Sequence, residues 1–482
     1  MIFLDENLLT KFLKLMSKDI SESDIELVPL GRSLGLDLIS FSKLRASQED
    51  NFVDRVRNEA LRRLAKRKDN LLVNNYSFYA GSIDFMVSND PENKKFFLLE
   101  TNGGSNRGLS ILTKKQQALL YDGYYESISQ AIERSKGESG KILVLVGVPV
   151  NDDLIHEKVI MVEYLRKKIK LEGYSLKIFN SDSYNKEHKA KVVFIISDYK
   201  QLSQTLSFSN GWIRYLGEKV NVLIGDGIAR RLHDKRFENL IRKDFRLINT
   251  IIVNPIFRIT DDKSLTYVAS FLSKKILKKY KLKDLLFTKA YNEKDLILKV
   301  KHLIKLYKKS FIIKPSGGSG GAGVMPIFKD EQSDKIKEIV KESKEEFYAK
   351  FSRTRDPFPY TIQEKADFSL IKWEGGKHTF DLRIYLAQSN NQIFPIGGLA
   401  RIARGNFLDG LNKQEFVVNL SGYDGKIEVN RGVGFSEKNS RLLGLQFEDF
   451  VNIFCIACVT FKSIVENYKT IMEFSEWDNV IS

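Results

Sequence analysis

Cysteine and histidine are scarce in this chain. Its 482 residues include two cysteines, Cys455 and Cys458, and five histidines. The cysteines lie three positions apart in an apolar, helix-like stretch, VNIFCIACVTF, and no second Cys or His pair accompanies them. A structural zinc site needs four ligands, so neither a zinc site nor a redox pair is expected. No convincing Ser-His-Asp or Cys-His set for nucleophilic catalysis is found either.

Long hydrophobic runs are also missing. No uninterrupted apolar stretch approaches the roughly 20 residues that a membrane-spanning helix needs. The opening stretch, MIFLDENLLTKFLKLMSKD, has no basic region followed by an apolar one, so it does not resemble a secretion signal. We therefore expect a cytoplasmic protein with no membrane partner.

Two common nucleotide-binding signatures are absent. The sequence has no G-x-x-x-x-G-K-[ST], the phosphate loop of P-loop ATPases. It also has neither H-R-D nor D-F-G, and the nearest approach to the second of these protein-kinase motifs is Asp367-Phe368-Ser369. Neither class of ATP-using enzyme fits the chain.

The charge balance is basic. Lysine and arginine number 77 against 61 acidic residues, a net charge of +16. The lysines are spread along helix faces such as KKILKKYKLKD and HLIKLYKKS and are seldom interleaved with aromatic residues. This pattern favours a solvated basic surface that attracts anionic substrates over a nucleic-acid partner.

One stretch stands out, FIIKPSGGSGGAGVMPIF at positions 311 to 328. An apolar run that carries Lys314 leads into a glycine-rich turn, and a second apolar run follows it. A dinucleotide-binding fold would open a helix after the glycines, whereas Val-Met-Pro-Ile-Phe predicts a returning strand. Without Cβ atoms, the turn can point backbone N–H groups at a polyphosphate. We predict a hairpin over ATP, with a flexible surface turn as the alternative. The predicted nucleotide-binding residues are Lys314, Ser316, Gly317, Gly318, Ser319, Gly320 and Gly321.

At this length, two or three packed units are expected. Apolar runs recur between helical segments from 141 to about 275: KILVLVGVPV, SLKIFN, KVVFIISD, KVNVLIGDG and NTIIVNP. Continuous Val/Ile/Leu runs that alternate with helices predict a mostly parallel sheet, covered on both faces. Elsewhere the sequence predicts strands at YTIQEKA, TFDLRIYLAQ, QIFPIGGLARIA and EFVVNLS, with a turn at Ser389-Asn390-Asn391.

Polar groups in these strands are candidates for the site. Gln363, Glu364 and Lys365 end a strand and would suit an edge that hydrogen-bonds an adenine or its ribose, although such residues are also common at ordinary strand ends. Asp381 and Arg383 stand at i and i+2, hence on one face of their strand. Arg383 could hold a transferred phosphate with its planar fork, or form a salt bridge with Asp381.

Two further groupings follow. Arg401 and Arg404 lie at a strand end with Asn419 beyond them, an arrangement that favours an anion or, for Arg404 especially, a solvated basic edge. Near the N-terminus, Asp84 lies in GSIDFMVS, and Glu100 and Asn102 end the paired strand in FLLETNGG. Their hard oxygen ligands, on strands that a hairpin would bring together, predict a Mg²⁺ site: Asp84, Glu100 and Asn102.

Together these residues resemble the ATP-grasp superfamily, in particular its glutathione synthetase and D-alanine ligase type. FIIKPSGGSGGAGV resembles its phosphate-covering hairpin, IQEK its adenine linker, and DLRIYL and GGLARIA its phosphate-binding strands. GSIDFMV with LLETNGG is similar to its magnesium-binding end, but here that part precedes the arginine strands by about 300 residues. The resemblance implies a circularly permuted α/β ATP-grasp fold. Lys289, in LLFTKAY, is similar to the family's upstream nucleotide lysine, and both Asp367 and Glu374 are candidates for the acid that holds the ribose.

The resemblance also implies a domain plan and a reaction. The reaction is ATP- and Mg²⁺-dependent joining of a carboxylate to an amine through an acylphosphate, in which Arg383 and Arg401 steady the phosphoryl group. The substrates would be small molecules or peptides, and the chain is a candidate homodimer. A non-catalytic nucleotide- or RNA-binding protein is the alternative. The predicted parts are a helical segment (1–70), the metal-binding part (71–140), an inserted Rossmann-like pre-ATP-grasp domain (141–275), the nucleotide-binding subdomain (276–375), and a second ATP-grasp subdomain with a C-terminal helix (376–482).

Overall fold

The computed structural model describes residues 43–44, 46–66, 78–90, 92–103, 108–136, 140–148, 155–181, 183–225, 228, 232, 235–318, 320–351, 353, 355–420 and 428–473. Most of the helical segment predicted for residues 1–70 lies outside these ranges. In the described part of it, VDRVRNEALRRLAK is helical, as its spacing of apolar residues predicts. The first elements are α1 (Asp50–Lys66), β1 (Ala80–Val87), β2 (Phe96–Asn102) and α2 (Lys114–Arg134).

The middle of the chain forms a five-stranded parallel sheet in the order β10-β9-β3-β5-β4. Each Val/Ile/Leu run singled out in the sequence supplies one of its strands, so the predicted mixed α/β class with a parallel sheet is confirmed. The chain between β5 and β9 forms a small antiparallel sheet, β6-β7-β8. The elements are β3 (Ile142–Val148), α3 (Ile155–Leu171), β4 (Leu176–Asn180), β5 (Val192–Asp198), α4 (Tyr199–Thr205), β6 (Leu206–Ser209), β7 (Trp212–Tyr215), β8 (Glu218–Lys219), β9 (Val222–Ile224), α5 (Glu238–Ile241), β10 (Ile251–Ile252), α6 (Phe257–Asp261), α7 (Lys263–Leu272) and α8 (Lys274–Leu277).

The glycine-rich stretch belongs to a four-stranded antiparallel sheet in the order β11-β14-β12-β13. Its two apolar runs pair as the predicted hairpin, with Phe311 opposite Ile327 and Ile313 opposite Met325. Two helices pack their apolar faces on this sheet. The elements are β11 (Phe287–Ala290), α9 (Glu293–Tyr307), β12 (Phe311–Lys314), β13 (Met325–Ile327), α10 (Ser333–Phe351) and β14 (Tyr360–Glu364).

The last part of the chain completes a six-stranded sheet in the order β18-β17-β16-β1-β2, with β15 also paired to β16. The hairpin β1-β2 thus lies beside β16 although about 300 residues separate them, and Asp84 stands opposite Arg383. The elements are β15 (Leu370–Trp373), β16 (Gly376–Ser389), β17 (Gln392–Ile402), α11 (Lys413–Phe416), β18 (Gly432–Gly434), α12 (Glu437–Leu442), α13 (Phe447–Glu466) and α14 (Tyr468–Glu473).

Strand β16 has two buried faces of different character. Its alternate residues Phe380, Leu382, Ile384 and Leu386 pack in the core that contains α13 and α1. Because side chains alternate along a strand, Asp381, Arg383 and Tyr385 point to the opposite face. That face carries polar groups at one end and apolar ones at the other, where Tyr385 and Ala387 pack with α2 and the parallel sheet.

Two local predictions have opposite outcomes. Asn390 and Asn391 form the turn between β16 and β17 with φ of 48° and 62°, values that asparagine tolerates well and that suit a tight hairpin. The strand predicted at EFVVNLS is wrong, because Lys413–Phe416 is a short helix and residues 417–420 after it form no strand. The strand that pairs with β17 on the side away from β16 is β18.

The remaining sequence-based expectations concern membrane-spanning helices and the two thiols. None of the helices in the described ranges is long and apolar enough to cross a membrane. Cys455 and Cys458 are free, buried thiols within α13.

Candidate active site

Four charged side chains from three adjacent strands meet on the polar face of the six-stranded sheet. Asp381 and Arg383 lie on β16, Arg401 stands opposite Asp381 on β17, and Asp84 stands opposite Arg383 on β1. We call these four residues the arginine cluster. The sequence predicted that Asp381 and Arg383 share a face, and the sheet adds a partner for each on either side.

The four side chains of the arginine cluster are hydrogen-bonded to one another. Arg383 grips both oxygens of Asp84, through Nε at 2.8 Å and Nη2 at 2.7 Å. Arg401 donates from Nη2 to Asp84 Oδ2 at 2.8 Å and from Nε to Asp381 Oδ1 at 2.8 Å. Asp381 and Arg383 therefore pair with other residues and not with each other: Asp381 with Arg401, and Arg383 with Asp84. Two carboxylates balance two guanidinium groups, which is how buried charges persist in a folded protein.

The cluster perturbs its own protonation equilibria. Burial alone would raise the pKa of Asp84, but Arg383 and Arg401 beside it hold that pKa well below its usual range. For Asp381, burial outweighs the pull of Arg401 and raises the pKa. Arg401 is disfavoured as a cation by burial, yet Asp381 and Asp84 raise its pKa well above the usual value. Both arginines thus stay charged at every accessible pH.

Glu100 lies where the arginine cluster meets the rest of the site. It stands opposite Asp84 in the β1-β2 pairing, and its side chain is 32% exposed. Arg383 Nη2 is 4.0 Å from its Oε1, and Lys263 Nζ is 3.4 Å from its Oε2. Glu100 therefore presents a carboxylate to the open side of the sheet, between two cations.

The three sequence-predicted metal ligands are neighbours, but they are not equivalent. The oxygens of Asp84 already accept three guanidinium hydrogen bonds, and Asn102 Nδ2 lies 3.5 Å from Asp84 Oδ2. Within the described ranges, no cluster of three His, Cys, Asp or Glu side chains is placed to hold a metal ion. Glu100 and Asn102 fit a Mg²⁺ ion that arrives with a polyphosphate, since such ions use only one or two carboxylates. Direct ligation by Asp84 stays a sequence-based prediction.

Lys314 lies at the end of β12, in the four-stranded antiparallel sheet. It is 8% exposed, and its Nζ donates to the Tyr267 hydroxyl at 3.0 Å and to the side-chain oxygen of Gln363. Both partners are neutral. Burial, reinforced by repulsion from Lys263, lowers the pKa of Lys314 to about 7. Among the described residues no carboxylate forms an ion pair with it, so an anion bound beside it would favour its charged form.

Lys289, the upstream lysine, stands on β11 of the same sheet and is 5% exposed. Its Nζ forms an ion pair with Asp262 Oδ2 at 2.8 Å. Asp262 also caps α7 by accepting a hydrogen bond from Ser264 N at 3.0 Å. We call Lys289, Lys314 and Lys263 the lysine group. The first two were predicted from the sequence, and the third was not.

The glycine turn adopts the backbone that its composition predicts. Gly317, Gly320, Gly321 and Gly323 all have positive φ, between 62° and 75°. These values are strained for most residues with a Cβ, so glycine is favoured here. Gly318 lies between them without a positive φ, and Ser319 lies outside the described residues. Ser316 N donates to Pro357 O at 2.9 Å, which anchors the start of the turn.

Side chains from two other elements hold the turn. Glu346 on α10 accepts a hydrogen bond from Gly323 N at 3.0 Å. Lys413 forms an ion pair with Glu346, and its Nζ is 3.3 Å from Gly321 O. The side-chain nitrogen of Asn419 lies 3.3 Å from the place where a Gly320 Cβ would stand. Asn419 is thus near the turn, although not on the predicted strand.

The predicted adenine edge splits into two directions. Gln363 points inward to Lys314, whereas Glu364 pairs with Lys309 at 2.6 Å and accepts from Leu286 N at 3.2 Å. Lys365 lies over the Phe368 ring at 5.5 Å. Next to this edge is a small apolar cluster between the two sheets, made of Phe97, Leu285 and Ala366 with Met86 and Phe368.

The two ribose candidates are now separated. Asp367 is exposed beside this apolar cluster, between Ala366 and Phe368. Glu374 is exposed in the turn between β15 and β16, with φ of 45°. Arg404, for which the sequence left open an anion site or a solvated basic edge, pairs with Glu428 at 2.6 Å.

Asp262, Lys263 and Tyr267 were missed by sequence reasoning. All three lie at or near the start of α7, at the end of the segment predicted as the pre-ATP-grasp domain. Their only local signal is an ordinary helix start, an Asp cap before an apolar repeat. Nothing in that pattern indicates that the start of this helix would lie between the two antiparallel sheets.

Comparisons with known proteins give weak likenesses. No family model matches the chain, and no curated protein matches it. Among solved structures, a glutathione synthetase-like effector from Globodera pallida is similar over 76% of this chain and 81% of its own, at 14% identity and a TM-score of 0.37. D-alanyl-alanine synthetase A from Vibrio cholerae O1 biovar eltor str. N16961 is similar over 63% of this chain and 78% of its own, at 12% identity and a TM-score of 0.32. Likeness at this level does not establish a family or an activity.

Proposed function

We propose that the protein is an ATP-dependent carboxylate–amine ligase of the ATP-grasp type. The observation that carries the proposal is the meeting of the arginine cluster and the lysine group around Glu100. Arg383 and Lys263 flank Glu100, and Lys314 is close enough to Lys263 to be affected by its charge. Lys289 pairs with Asp262, the residue before Lys263, and the glycine turn begins shortly after Lys314. Polyphosphate is the ligand that such a concentration of positive charge favours.

The nucleotide would lie between the two antiparallel sheets. Its adenine fits the apolar cluster of Phe97, Leu285 and Ala366, beside the backbone of the predicted linker at Gln363, Glu364 and Lys365. Asp367, exposed at the rim of this cluster, is the better ribose partner of the two candidates. The glycine turn would cover the phosphates, with Lys314 beneath them and Lys289 on the neighbouring strand.

The arginine cluster would serve the transfer step. A carboxylate oxygen of the acid substrate attacks the γ-phosphorus, the bond to the ADP oxygen breaks, and an acylphosphate forms. Arg383 and Arg401 would bind the transferred phosphoryl group and then the oxyanion that forms when the amine attacks the acyl carbon. Asp84 and Asp381 fix both guanidinium groups in advance, so no reorganisation is needed during the reaction. The bond between the acyl carbon and the phosphate oxygen then breaks, phosphate leaves, and the amine loses a proton.

The proposal includes magnesium because the site contains side-chain oxygen atoms of the kind that bind this ion. Glu100 and Asn102 would hold it, with Asp84 as the third predicted ligand. When bound, a magnesium ion offsets negative charge on the phosphates during transfer.

The order of the chain would then reflect a circular permutation. Residues 71–140 would supply the metal-binding part and residues 376–482 the arginine strands. The parallel sheet within 141–275 would be an inserted pre-ATP-grasp domain. The pairing of β1 with β16 supports this plan, since it joins segments from both ends of the chain in one sheet. Such a rearrangement leaves a packed site unchanged when the chain ends lie close together.

Hydroxylamine trapping tests the proposal. The purified protein is incubated with ATP, magnesium and pools of amino acids and peptides, and hydroxamates are measured, because hydroxylamine converts an acylphosphate into a stable hydroxamate. We expect hydroxamate and ADP to appear together with at least one pool. In the Glu100→Gln variant, turnover should fall by roughly 100-fold, as when a metal ligand is disturbed, while the exposed Glu92→Gln control on the same hairpin keeps normal turnover.

The alternative is a non-catalytic nucleotide- or RNA-binding protein, favoured by the net charge of +16. ATP binding without hydroxamate from any pool, together with tight RNA binding that weakens steeply with salt, would replace the ligase by this alternative. Near-normal turnover of Glu100→Gln would remove Glu100 from the metal site.

A further inference from the structure

Helix α7 reaches the candidate site from the middle of the chain. Its first residue, Lys263, has a side chain that is 15% exposed, and its Nζ lies 3.4 Å from Glu100 Oε2. This lysine belongs to none of the sequence patterns that suggested ATP binding. It nevertheless stands beside the carboxylate that links the arginine cluster to the lysine group.

The position of α7 is fixed from both sides. Tyr267, one turn after Lys263, places its hydroxyl 2.8 Å from Leu99 O and 2.6 Å from the side-chain oxygen of Gln363. The same hydroxyl accepts a hydrogen bond from Lys314 at 3.0 Å. Leu99 lies on β2 and Gln363 on β14, so one tyrosine ties the helix to both sheets. The start of α7, which carries Lys263, is therefore tied to both sheets.

The charges near Lys263 favour the binding of an anion. Lys263 is close enough to Lys314 to lower the pKa of that buried lysine. Glu100 is the only carboxylate in the described ranges with which Lys263 forms an ion pair, and Glu100 also lies 4.0 Å from Arg383. Like charges at such close range repel, and a bound anion between them removes the repulsion. Phosphate oxygens between the two sheets would meet this requirement.

We propose that Lys263 is a direct ligand of the nucleotide's phosphates. The proposal rests on the ATP binding inferred above and adds a third source to the site: the segment that ends the parallel-sheet region, besides the two antiparallel sheets. On binding, the Lys263 ammonium turns from Glu100 to a phosphate oxygen and leaves the Glu100 carboxylate open. Helix α7 thus couples the middle of the chain to nucleotide binding.

Calorimetric titration with ATP, ADP and adenosine tests this role without any need for turnover. Loss of a charge-assisted hydrogen bond should weaken ATP binding by about tenfold or more in Lys263→Met. Adenosine binding should not change, and Lys263→Arg should recover part of the ATP affinity. Lys274→Met is the matched control, since Lys274 begins the next helix and pairs with Asp284 at 3.4 Å. Circular dichroism and thermal melts establish that each variant is folded.

A second background separates direct contact from simple neutralisation of Glu100. In Glu100→Gln the carboxylate charge is gone, so a lysine that only neutralised Glu100 would have nothing left to do. We expect Lys263→Met to weaken ATP binding by about the same factor in this background as in the wild type. An effect that vanishes there, or equal ATP affinities of Lys263→Met and the wild type, would overturn the proposal and leave ATP binding intact. A wild-type protein that binds no ATP would overturn both.

Discussion

The two walls of the candidate site treat buried charge in opposite ways. In the arginine cluster, each guanidinium is bound by carboxylates, and the side chains of Asp84 and Asp381 are 1% and 2% exposed. In the lysine group, Lys289 and Lys263 pair with Asp262 and Glu100, but Lys314, which is 8% exposed, is bound by a tyrosine and an amide. Every charge of the arginine cluster is paired with an opposite charge, whereas the ammonium of Lys314 is not.

This difference separates two tasks. A compensated arginine is rigid and charged in every state, so it can present unused N–H groups in a fixed direction. An uncompensated lysine is destabilising until an anion arrives, and its energy of burial is recovered on binding. We infer that the arginine cluster orients the reacting groups and that Lys314 supplies affinity.

Among the substitutions that test this comparison, Asp84→Asn should have the largest effect on stability. It leaves Arg383 and Arg401 buried with one carboxylate between them, and breaking a buried ion pair in this way costs about 3 to 5 kcal/mol. Urea unfolding should therefore show a loss of this size in the free energy of unfolding. The exposed Asp330→Asn should be close to neutral. Equal effects of the two substitutions would mean that the arginine cluster does not depend on Asp84.

Lys314→Met sharpens the comparison, since it should stabilise the protein while it weakens ATP binding. The pKa of Lys314 is lowered from 10.5 to about 7. Below about pH 7 the folded lysine is charged and its burial is fully unfavourable; towards pH 10.5 the folded form is neutral and this cost disappears. The stability gain of Lys314→Met should thus be largest at pH 6.5 and smaller at pH 9.5.

Urea unfolding of both proteins at the two pH values measures this gain, with the exposed Lys372→Met as control. A gain that grows with pH would contradict the assignment of an uncompensated lysine. ATP titration of the same variants gives the second half of the prediction, a loss of affinity that Lys372→Met does not share.

Tyr267→Phe is the smallest of the three changes. It removes the hydroxyl that accepts from Lys314 and contacts Leu99 O, and loss of such buried hydrogen bonds costs about 1 kcal/mol. The exposed Tyr307→Phe serves as its control in the same unfolding measurement. Should Tyr267→Phe have no effect, the tyrosine would not be the link between α7 and the two sheets.

The arginine cluster and the lysine group also differ in how far the sequence predicted them. Spacing alone placed Asp381 and Arg383 on one strand face, and glycine content alone predicted the turn that follows Lys314. Their partners were not predictable, because alternation along a strand tells which residues share a face but not which strand lies alongside. The strand predicted at EFVVNLS failed because an apolar run of this length does not by itself distinguish a strand from a short helix.

The sequence by itself determined the local elements: the hairpin turn at Asn390 and Asn391, the positive-φ glycines, the Val/Ile runs of the parallel sheet and the amphipathic helices. These depend on the chemistry of neighbouring residues, such as backbone freedom and the period of apolar side chains. Only the tertiary structure decided that Asp84 would be held by Arg383, some 300 positions away, and that α7 would bring Lys263 to Glu100. Such contacts arise from the packing of whole sheets and helices, which no short stretch of sequence encodes.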